Sequence, residues 1–411
     1  MKAVIFTLGC KVNTYESLSL MNGLRQLGYE VSFELSPADL YVINTCAVTA
    51  EAERKSRQAI ARARKYSPDA KVIVTGCASQ KNPQSFLDKE GVYLVTGAID
   101  KDRLVEIINK DGVFIENSKE YYCKYYPIQT SMTRYFLKIQ DGCDNFCSYC
   151  VIPYLRGRSR SRDPESILNE LSGVKAAEVV LTGINLSAYD YKGYKLSDLL
   201  KDLSSFNLRI RLVSFEDNVV DDKLITALKG LPDFAEHFHL SLQSGSDKVL
   251  REMNRHYDTA LFSRSVKLIR ENFPNAGITT DVIVGYSTET DEDFIKTYDF
   301  CLETAFSDIH CFEYSRREGT VGYKLPPLPD SVKKQRLSKL IQLKAQLKQS
   351  FINKNVGATL SFVPEEYKEG FTVGYTGNYL RVYVNDRLPI ENKYDVTMEK
   401  PFKDGLLATV K

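Results

Sequence analysis

Residues 134–150 read RYFLKIQDGCDNFCSYC, and the rest of the chain is read outward from them. Tyr135 to Gln140 has the β-branched and aromatic character of a buried strand. Directly after it, behind Asp141-Gly142, Cys143, Cys147 and Cys150 form a C-x3-C-x2-C threaded with Phe146 and Tyr149. Three thiolates so close in sequence can converge on one metal centre. A structural zinc wants four ligands, and the nearest histidine is His237, 87 residues on. A three-cysteine set that leaves one iron open suits a [4Fe-4S] centre able to bind a small molecule, with zinc and purely structural thiols as the alternatives.

Downstream, five more segments read as strands: Glu178 to Thr182, Arg209 to Phe215, His237 to Leu242, Thr279 to Val284 and Ile309 to Tyr314. Their spacing is that of β/α units, two short of a full barrel, so residues 135–329 are expected to form a partial (β/α)6 barrel with its site at the C-terminal strand ends. Upstream, Lys2 to Leu8, Asp39 to Thr45, Lys71 to Thr75 and Val92 to Thr96 read as buried strands. They alternate with helical stretches at Ser17 to Leu27 and Glu51 to Tyr66. That is a parallel α/β domain over residues 1–118, followed by a linker, 119–134, in which Tyr121 to Thr133 is tyrosine-rich and carries Pro127. Beyond the barrel, Ser331 to Lys354 has seven Lys/Arg and no acid, with Leu337, Leu340, Ile341, Leu347 and Phe351 as one apolar stripe. A basic amphipathic helix over 330–354 is expected. Residues 355–411 alternate short β runs with Gly370, Gly374 and Gly377, which suits a small β-barrel.

The chain of 411 residues has 55 Lys+Arg against 53 Asp+Glu, a net charge of +2, and 43% hydrophobic residues. This fits two to three folded domains and excludes both whole-chain disorder and a polybasic binder. No stretch approaches the roughly 18 apolar residues of a spanning helix. The start loosely resembles a lipoprotein signal, but the apolar core Val4 to Leu8 is short and no small-residue cleavage site follows. It is read as a first strand, and a cytoplasmic location is expected. Nine cysteines, an odd number, argue against complete disulfide pairing. Cys10, Cys46 and Cys77 each directly follow an expected strand, in Thr-Leu-Gly-Cys, Ile-Asn-Thr-Cys and Val-Thr-Gly-Cys. Parallel strands end on one edge of a sheet, so these three are expected to form a second thiolate site, the alternative being three unrelated buried cysteines. Cys123, Cys301 and Cys311 read as small buried hydrophobes. His237, His239, His256 and His310 form no i, i+4 pair and read as ordinary core or surface residues.

With both cysteine sets in view, the chain resembles the radical S-adenosylmethionine (SAM) enzymes, and within them the methylthiotransferases. The N-terminal signature is Gly9-Cys10-Lys11-Val12-Asn13, Asn44-Thr45-Cys46 and Gly76-Cys77. Further matching stretches are Tyr154-Leu155-Arg156-Gly157, Arg160-Ser161-Arg162, Leu181-Thr182-Gly183, Ser241-Leu242-Gln243-Ser244-Gly245, Met253-Asn254-Arg255 and Tyr314-Ser315. The resemblance runs through nearly the whole chain. Leu-Gly-Cys-Lys-Val-Asn is similar to the branch that modifies N6-threonylcarbamoyladenosine in tRNA. Two departures stand out. Gly285-Tyr286-Ser287-Thr288-Glu289-Thr290 lacks the Pro-Gly turn the family usually has there. The C-terminal segment resembles an RNA-binding TRAM domain, yet residues 351–411 carry eight Lys/Arg and eight Asp/Glu.

The resemblance implies two [4Fe-4S] clusters, on Cys10, Cys46 and Cys77 and on Cys143, Cys147 and Cys150. It implies SAM contacts at Thr182, Gly183, Glu216, Gln243 and Arg255. The implied activity inserts sulfur and a methyl group at C2 of the modified adenosine beside the tRNA anticodon, with a low-potential donor such as flavodoxin or ferredoxin and an unidentified sulfur source. Arg156, Arg158, Arg160 and Arg162 alternate with small or apolar residues and are expected to contact tRNA, with internal salt bridges as the alternative. Lys333, Lys334 and Arg336 of the basic helix are expected to add phosphate-binding charge. Rival readings are another tRNA nucleoside, a ribosomal-protein aspartate, or a two-cluster electron carrier.

Overall fold

Six parallel strands build the N-terminal sheet: β1 (Lys2–Thr7), β2 (Glu30–Ser32), β3 (Leu40–Thr45), β4 (Lys71–Gly76), β5 (Val92–Thr96) and β6 (Gly112–Phe114), in the order β2-β1-β3-β4-β5-β6. The computed structural model describes residues 1–47, 50–127, 133–213, 215–216 and 219–411. Successive strand residues point to opposite faces, so Val4, Tyr41, Ile43, Val72 and Val74 pack against Ala59, Ile60 and Ala63 of the helix Ala50–Tyr66. Ala3, Ile5, Val42, Ile73 and Leu94 pack on the other side against Leu18, Leu20 and Leu24 of the helix Lys11–Gln26. Burial on both faces explains the unbroken apolar runs. The edge strands β2 and β6, three residues each, are too short to show a pattern in the sequence.

The central unit begins with β7 (Arg134–Lys138) and a two-residue ribbon, β8 (Gln140–Asp141) with β9 (Arg160–Ser161). Then come β10 (Glu178–Thr182), the ribbon β11 (Asp190–Tyr191) and β12 (Tyr194–Lys195), β13 (Arg209–Leu212), β14 (Asp233–Phe234), β15 (His237–Gln243), β16 (Gly277–Val284) and β17 (Asp308–Glu313). Two parallel sheets, β14-β13-β10-β7 and β15-β16-β17, are joined where Phe215 bridges to Leu240. The result is an open barrel of six parallel strands, β7, β10, β13, β15, β16 and β17, with the two-residue β14 paired beside β13. The expected strand Arg209 to Phe215 is regular only to Leu212, and Ser214 lies outside the described residues, as do residues 128–132 of the expected linker.

The helix Asp330–Lys354 lays Leu340, Leu343 and Leu347 on the barrel core. The expected stripe needs one correction: Ile341 is 49% exposed, and Leu343 takes its place because the buried contacts follow an i, i+3, i+4 row. Five strands, β18 (Thr359–Lys368), β19 (Phe371–Thr376), β20 (Arg381–Val384), β21 (Tyr394–Phe402) and β22 (Gly405–Val410), close into a barrel around Phe362, Val382, Val396, Met398 and Leu406. Arg211 docks it by donating to the carbonyls of Thr376 and Gly377 at 3.0 and 3.1 Å. Among the described residues no helix is long and apolar enough to cross a membrane.

Candidate active site

The loop of Cys143, Cys147 and Cys150 leaves the barrel at Gly142. This glycine has φ +71°, and a Cβ there would stand 2.0 Å from the Arg158 carbonyl oxygen, so only glycine fits. The loop is tied down by backbone groups: Cys143 N donates to Gly157 O at 3.1 Å and Ser148 N to Met253 O at 3.0 Å. Asn254 donates to the carbonyls of Asn145 and Phe146 at 2.9 and 3.2 Å. Two of the expected SAM residues meet against it. Arg255 donates to Cys147 Sγ at 3.1 Å and pairs with Glu216 at 2.6 Å, and Asn145 donates to the same carboxylate at 2.6 Å. Thr182 ends β10, buried, and Gly183 follows against Gln140, whose Oε1 accepts from Ile184 and Asn185 N–H at 3.0 and 2.9 Å. Gln243 is buried at the end of β15 with φ +67°.

Burial, with Cys147 and Cys143 nearby, pushes the Cys150 thiol up to about 12. Burial also raises Cys143, only partly opposed by the Asn145 N–H. Buried thiols held in the neutral form beside another sulfur, as Cys143 and Cys150 are, form a donor set that a cationic iron cluster relieves. Sulfur ligands to a single zinc, at about 2.3 Å each, would lie close together. Among the described residues neither cysteine set brings three thiols within 4.8 Å of one another.

At the N-terminal sheet, β1, β3 and β4 are immediate neighbours, with Thr7 opposite Asn44 and Thr45 opposite Gly76. Cys10, Cys46 and Cys77 therefore leave the same edge side by side. Asn13 clamps two of these exits by donating to Leu8 O at 2.6 Å and Thr45 O at 3.1 Å. Gly9, with φ +104°, makes room: a Cβ there would come 2.9 Å from Cys46 Cβ and Sγ. No disulfide forms among the nine cysteines.

A buried ionic network that no motif announces joins the two cysteine sets. Glu16 accepts from Lys101 at 2.5 Å, Lys138 at 2.6 Å and Arg156 at 2.9 and 3.1 Å. Asp141 accepts from Lys138 at 2.7 Å and Arg156 at 3.0 Å. Burial alone would raise the Glu16 carboxyl, but Arg156, Lys101 and Lys138 outweigh it and hold it well below the usual range. Asp141, under the same opposition, sits at about 2. The Cys77 sulfur lies near enough to favour the charged forms of both Lys101 and Arg156. Glu16 lies 85 to 140 residues from Lys101, Lys138 and Arg156, so local spacing carries no trace of it.

This corrects the expected tRNA strand. Arg156 and Arg162 are each 1% exposed and Arg160 is 6%. Arg162 pairs with Glu170 at 2.5 Å, and Arg160 faces Asp141 at 3.5 Å and donates to Ser118 O at 3.1 Å. Only Arg158 of the four projects outward, beside Asp144 at 3.2 Å. On the basic helix, Arg336 is buried and pairs with Glu289 at 2.6 Å and Asp291 at 2.8 Å. Lys333 pairs with Asp330 at 2.7 Å and Glu313 at 3.3 Å, while Lys334 is exposed. The reason is common to both: a cation on the inward face of its element is neutralised by the fold itself.

A cavity of about 700 Å³ opens inside the barrel, walled by Cys10 and Lys11, by Thr182 and Gly183, by His237, His239, Asp281 and His310, and by Tyr379 of the C-terminal barrel. Three of the four histidines taken from sequence as ordinary, His237, His239 and His310, are gathered here, and His256 is not. His239 and His310 face the two oxygens of Asp281 at 3.3 and 3.1 Å, the only group of three or more such ligand atoms within 4.8 Å among the described residues. Lys11 is exposed, but to the cavity; burial, then Arg134 and Arg211, lower its pKa to about 8.

Residues 2–97 match the uncharacterized protein family UPF0004, and residues 137–301 match the radical SAM superfamily. The threonylcarbamoyladenosine tRNA methylthiotransferase MtaB of Bacillus subtilis (strain 168) is 38% identical over 92% of this chain and 88% of its own. The protein of the same name from Aquifex aeolicus (strain VF5) is 41% identical over 91% of this chain and 95% of its own. Among solved structures, the radical SAM methyltransferase TsrM from Kitasatospora setae, with cobalamin and a [4Fe-4S] cluster bound, aligns with a TM-score of 0.58. At 12% identity, over 90% of this chain and 77% of that one, it is a likeness of fold alone.

Proposed function

The chain belongs to the tRNA methylthiotransferases of the radical SAM superfamily, and on that premise we propose that it inserts sulfur and a methyl group at C2 of N6-threonylcarbamoyladenosine next to the tRNA anticodon. The observation that carries this reading is the pair of three-cysteine sites, one on the sheet edge and one on the barrel loop, coupled through Glu16, Asp141 and Arg156. The family uses SAM and [4Fe-4S] clusters. Cys143, Cys147 and Cys150 would hold one cluster, and Cys10, Cys46 and Cys77 the other. When bound, one cluster would supply one-electron cleavage of SAM and the other would hold, at its open iron, the sulfur that is inserted, which comes from an unidentified donor.

The residues themselves position and insulate. Arg255 orients Cys147 and Glu216 together. Glu216 and Arg255 offer a carboxylate and a guanidinium to the charged groups of SAM, with Thr182, Gly183 and Gln243 at neighbouring strand ends. Lys101 and Arg156 place two cationic side chains near the Cys77 sulfur, on the side of the sheet edge that faces the barrel loop. The tRNA contact falls to outward-facing Arg158 and Lys334 and the closed C-terminal barrel. The working units are residues 1–118, 135–329 and 355–411, bridged by the 119–134 linker and the 330–354 helix. A low-potential flavodoxin or ferredoxin would supply electrons in the cytoplasm, where tRNA is modified.

Nucleoside mass spectrometry of tRNA from cells with and without this protein tests the reading. The 2-methylthio derivative of N6-threonylcarbamoyladenosine is expected to vanish in its absence. Persistence of that nucleoside in cells lacking this protein and any paralogue would refute it.

A further inference from the structure

Lys11 differs from the other cations around it. Arg211 is held by Glu178 at 2.6 and 2.8 Å, and Arg134 by Glu178 at 2.8 Å and by Glu365. Among the described residues the Lys11 ammonium makes no hydrogen bond or ion pair, although it lines the cavity close to those two guanidiniums. A second observation points the same way. His237 lines the same cavity, is 7% exposed, stacks on Tyr379 at 4.6 Å, and places Nε2 2.9 Å from Thr279 Oγ1. Among the described residues its Nδ1 has no hydrogen-bond partner. Buried polar atoms are nearly always satisfied, so this nitrogen is open to a water or a ligand that enters the cavity. The Lys11 charge is also felt at His237, so the two share one pocket.

An unpaired ammonium beside an orphaned imidazole nitrogen suits a small planar anion that can accept from both. The cavity, about 700 Å³, has the size of a small-molecule site, and Cys10 is part of its wall, so a ligand held there lies against one of the three sheet-edge cysteines. On the remaining wall, the carboxylates are already paired: both Asp281 oxygens face His239 and His310, Asp308 faces Lys344 and Lys348 at 3.3 and 3.6 Å, and Asp404 pairs with Arg381 at 3.0 Å. That wall offers hydrogen bonds but no free countercharge.

We propose that this cavity is the subsite for the carboxylate of the nucleoside's N6 side chain, with Lys11 as the cation that selects it and His237 as its neighbour. The inference rests on the function proposed above. The carboxylate of a SAM molecule acting as methyl donor has the same chemistry and is separated from it by experiment.

The test uses reconstituted holoenzyme and two anticodon stem-loop RNAs that differ only at the side-chain carboxyl, one carrying N6-threonylcarbamoyladenosine and the other its methyl ester. Wild-type protein is expected to favour the acid in kcat/KM by about 10- to 100-fold, the range of one charge-assisted hydrogen bond. Lys11→Met is expected to bring that ratio near one, mostly through KM for the acid, with Lys11→Arg restoring part of it. His237→Phe should reduce the ratio to a lesser degree. Equal use of acid and ester by wild type overturns the inference without any variant, so loss of cluster iron in Lys11→Met cannot hide a failure. It is equally overturned if Lys11→Met keeps the ratio and instead raises KM for SAM. If wild type modifies neither RNA, the functional reading itself falls.

Discussion

The Arg156 guanidinium, just past the barrel's cysteine loop, closes on the Glu16 carboxylate of the first helix at 2.9 and 3.1 Å, across 140 residues of sequence. Both side chains are buried, and Asp141 beside the loop shares the same guanidinium at 3.0 Å. The loop that holds one cysteine set is thereby fixed to the helix that starts from the other.

Removing one partner of such a buried pair leaves the rest uncompensated. Glu16→Gln strands Arg156, Lys101 and Lys138 together, and a loss of about 3–5 kcal/mol is expected. Denaturant unfolding of the cluster-free protein measures it; a change within about 0.5 kcal/mol, the usual spread of surface substitutions, would show the network to be inert.

Acid should release the same network. Glu16 and Asp141 are lowered in the folded chain, so their contribution to stability is complete above the unfolded carboxylate range. It is lost as pH falls through the folded values, for Asp141 from the ordinary aspartate value of 3.8 toward about 2. Stability of the cluster-free protein should therefore be insensitive to these two groups from neutrality down to about pH 5. It should fall steeply below that, and the Glu16→Gln variant should show a shallower fall.

Two independent cysteine sets predict about eight iron and eight sulfide per chain after anaerobic reconstitution. Cys147→Ala is expected to abolish SAM cleavage. Cys46→Ala should retain cleavage and lose sulfur insertion; failure of both in the Cys46 variant would contradict the division of roles.

Gly142→Ala places a Cβ 2.0 Å from the Arg158 carbonyl at a backbone φ of +71°. The loop must shift, and total iron should drop toward half the wild-type value as the barrel site empties while the sheet-edge cluster remains. Full occupancy in this variant would show that the loop tolerates another path.

For tRNA, reversing Arg158 and Lys334 to Glu should weaken binding and flatten its salt dependence, by a log-log slope of about 0.7 to 0.9 for each phosphate no longer neutralised. Reversing Lys333 or Arg336 is a different experiment. Their partners are Asp330, Glu313, Glu289 and Asp291, so those changes should lower the melting temperature. Unchanged affinity in the Arg158 and Lys334 variant would remove both from the interface.

Much of this protein is legible in its sequence because the relevant signals are local. Unbroken apolar runs mark β1, β3, β4 and β10 since both faces of those strands are buried, and the C-x3-C-x2-C spacing is short enough for one loop to gather its thiols. Cys10, Cys46 and Cys77 could be grouped from sequence alone because parallel strands share an exit edge. What sequence could not decide is which cations face inward. Arg156 and Arg158 are two residues apart and chemically alike, yet one is buried against Glu16 and the other projects outward beside Asp144. Likewise His239, Asp281 and His310 come from three strands and share a cavity only because β15, β16 and β17 lie side by side. Charge pairing and cavity walls depend on through-space distance between distant segments, and only the closed tertiary structure sets that distance.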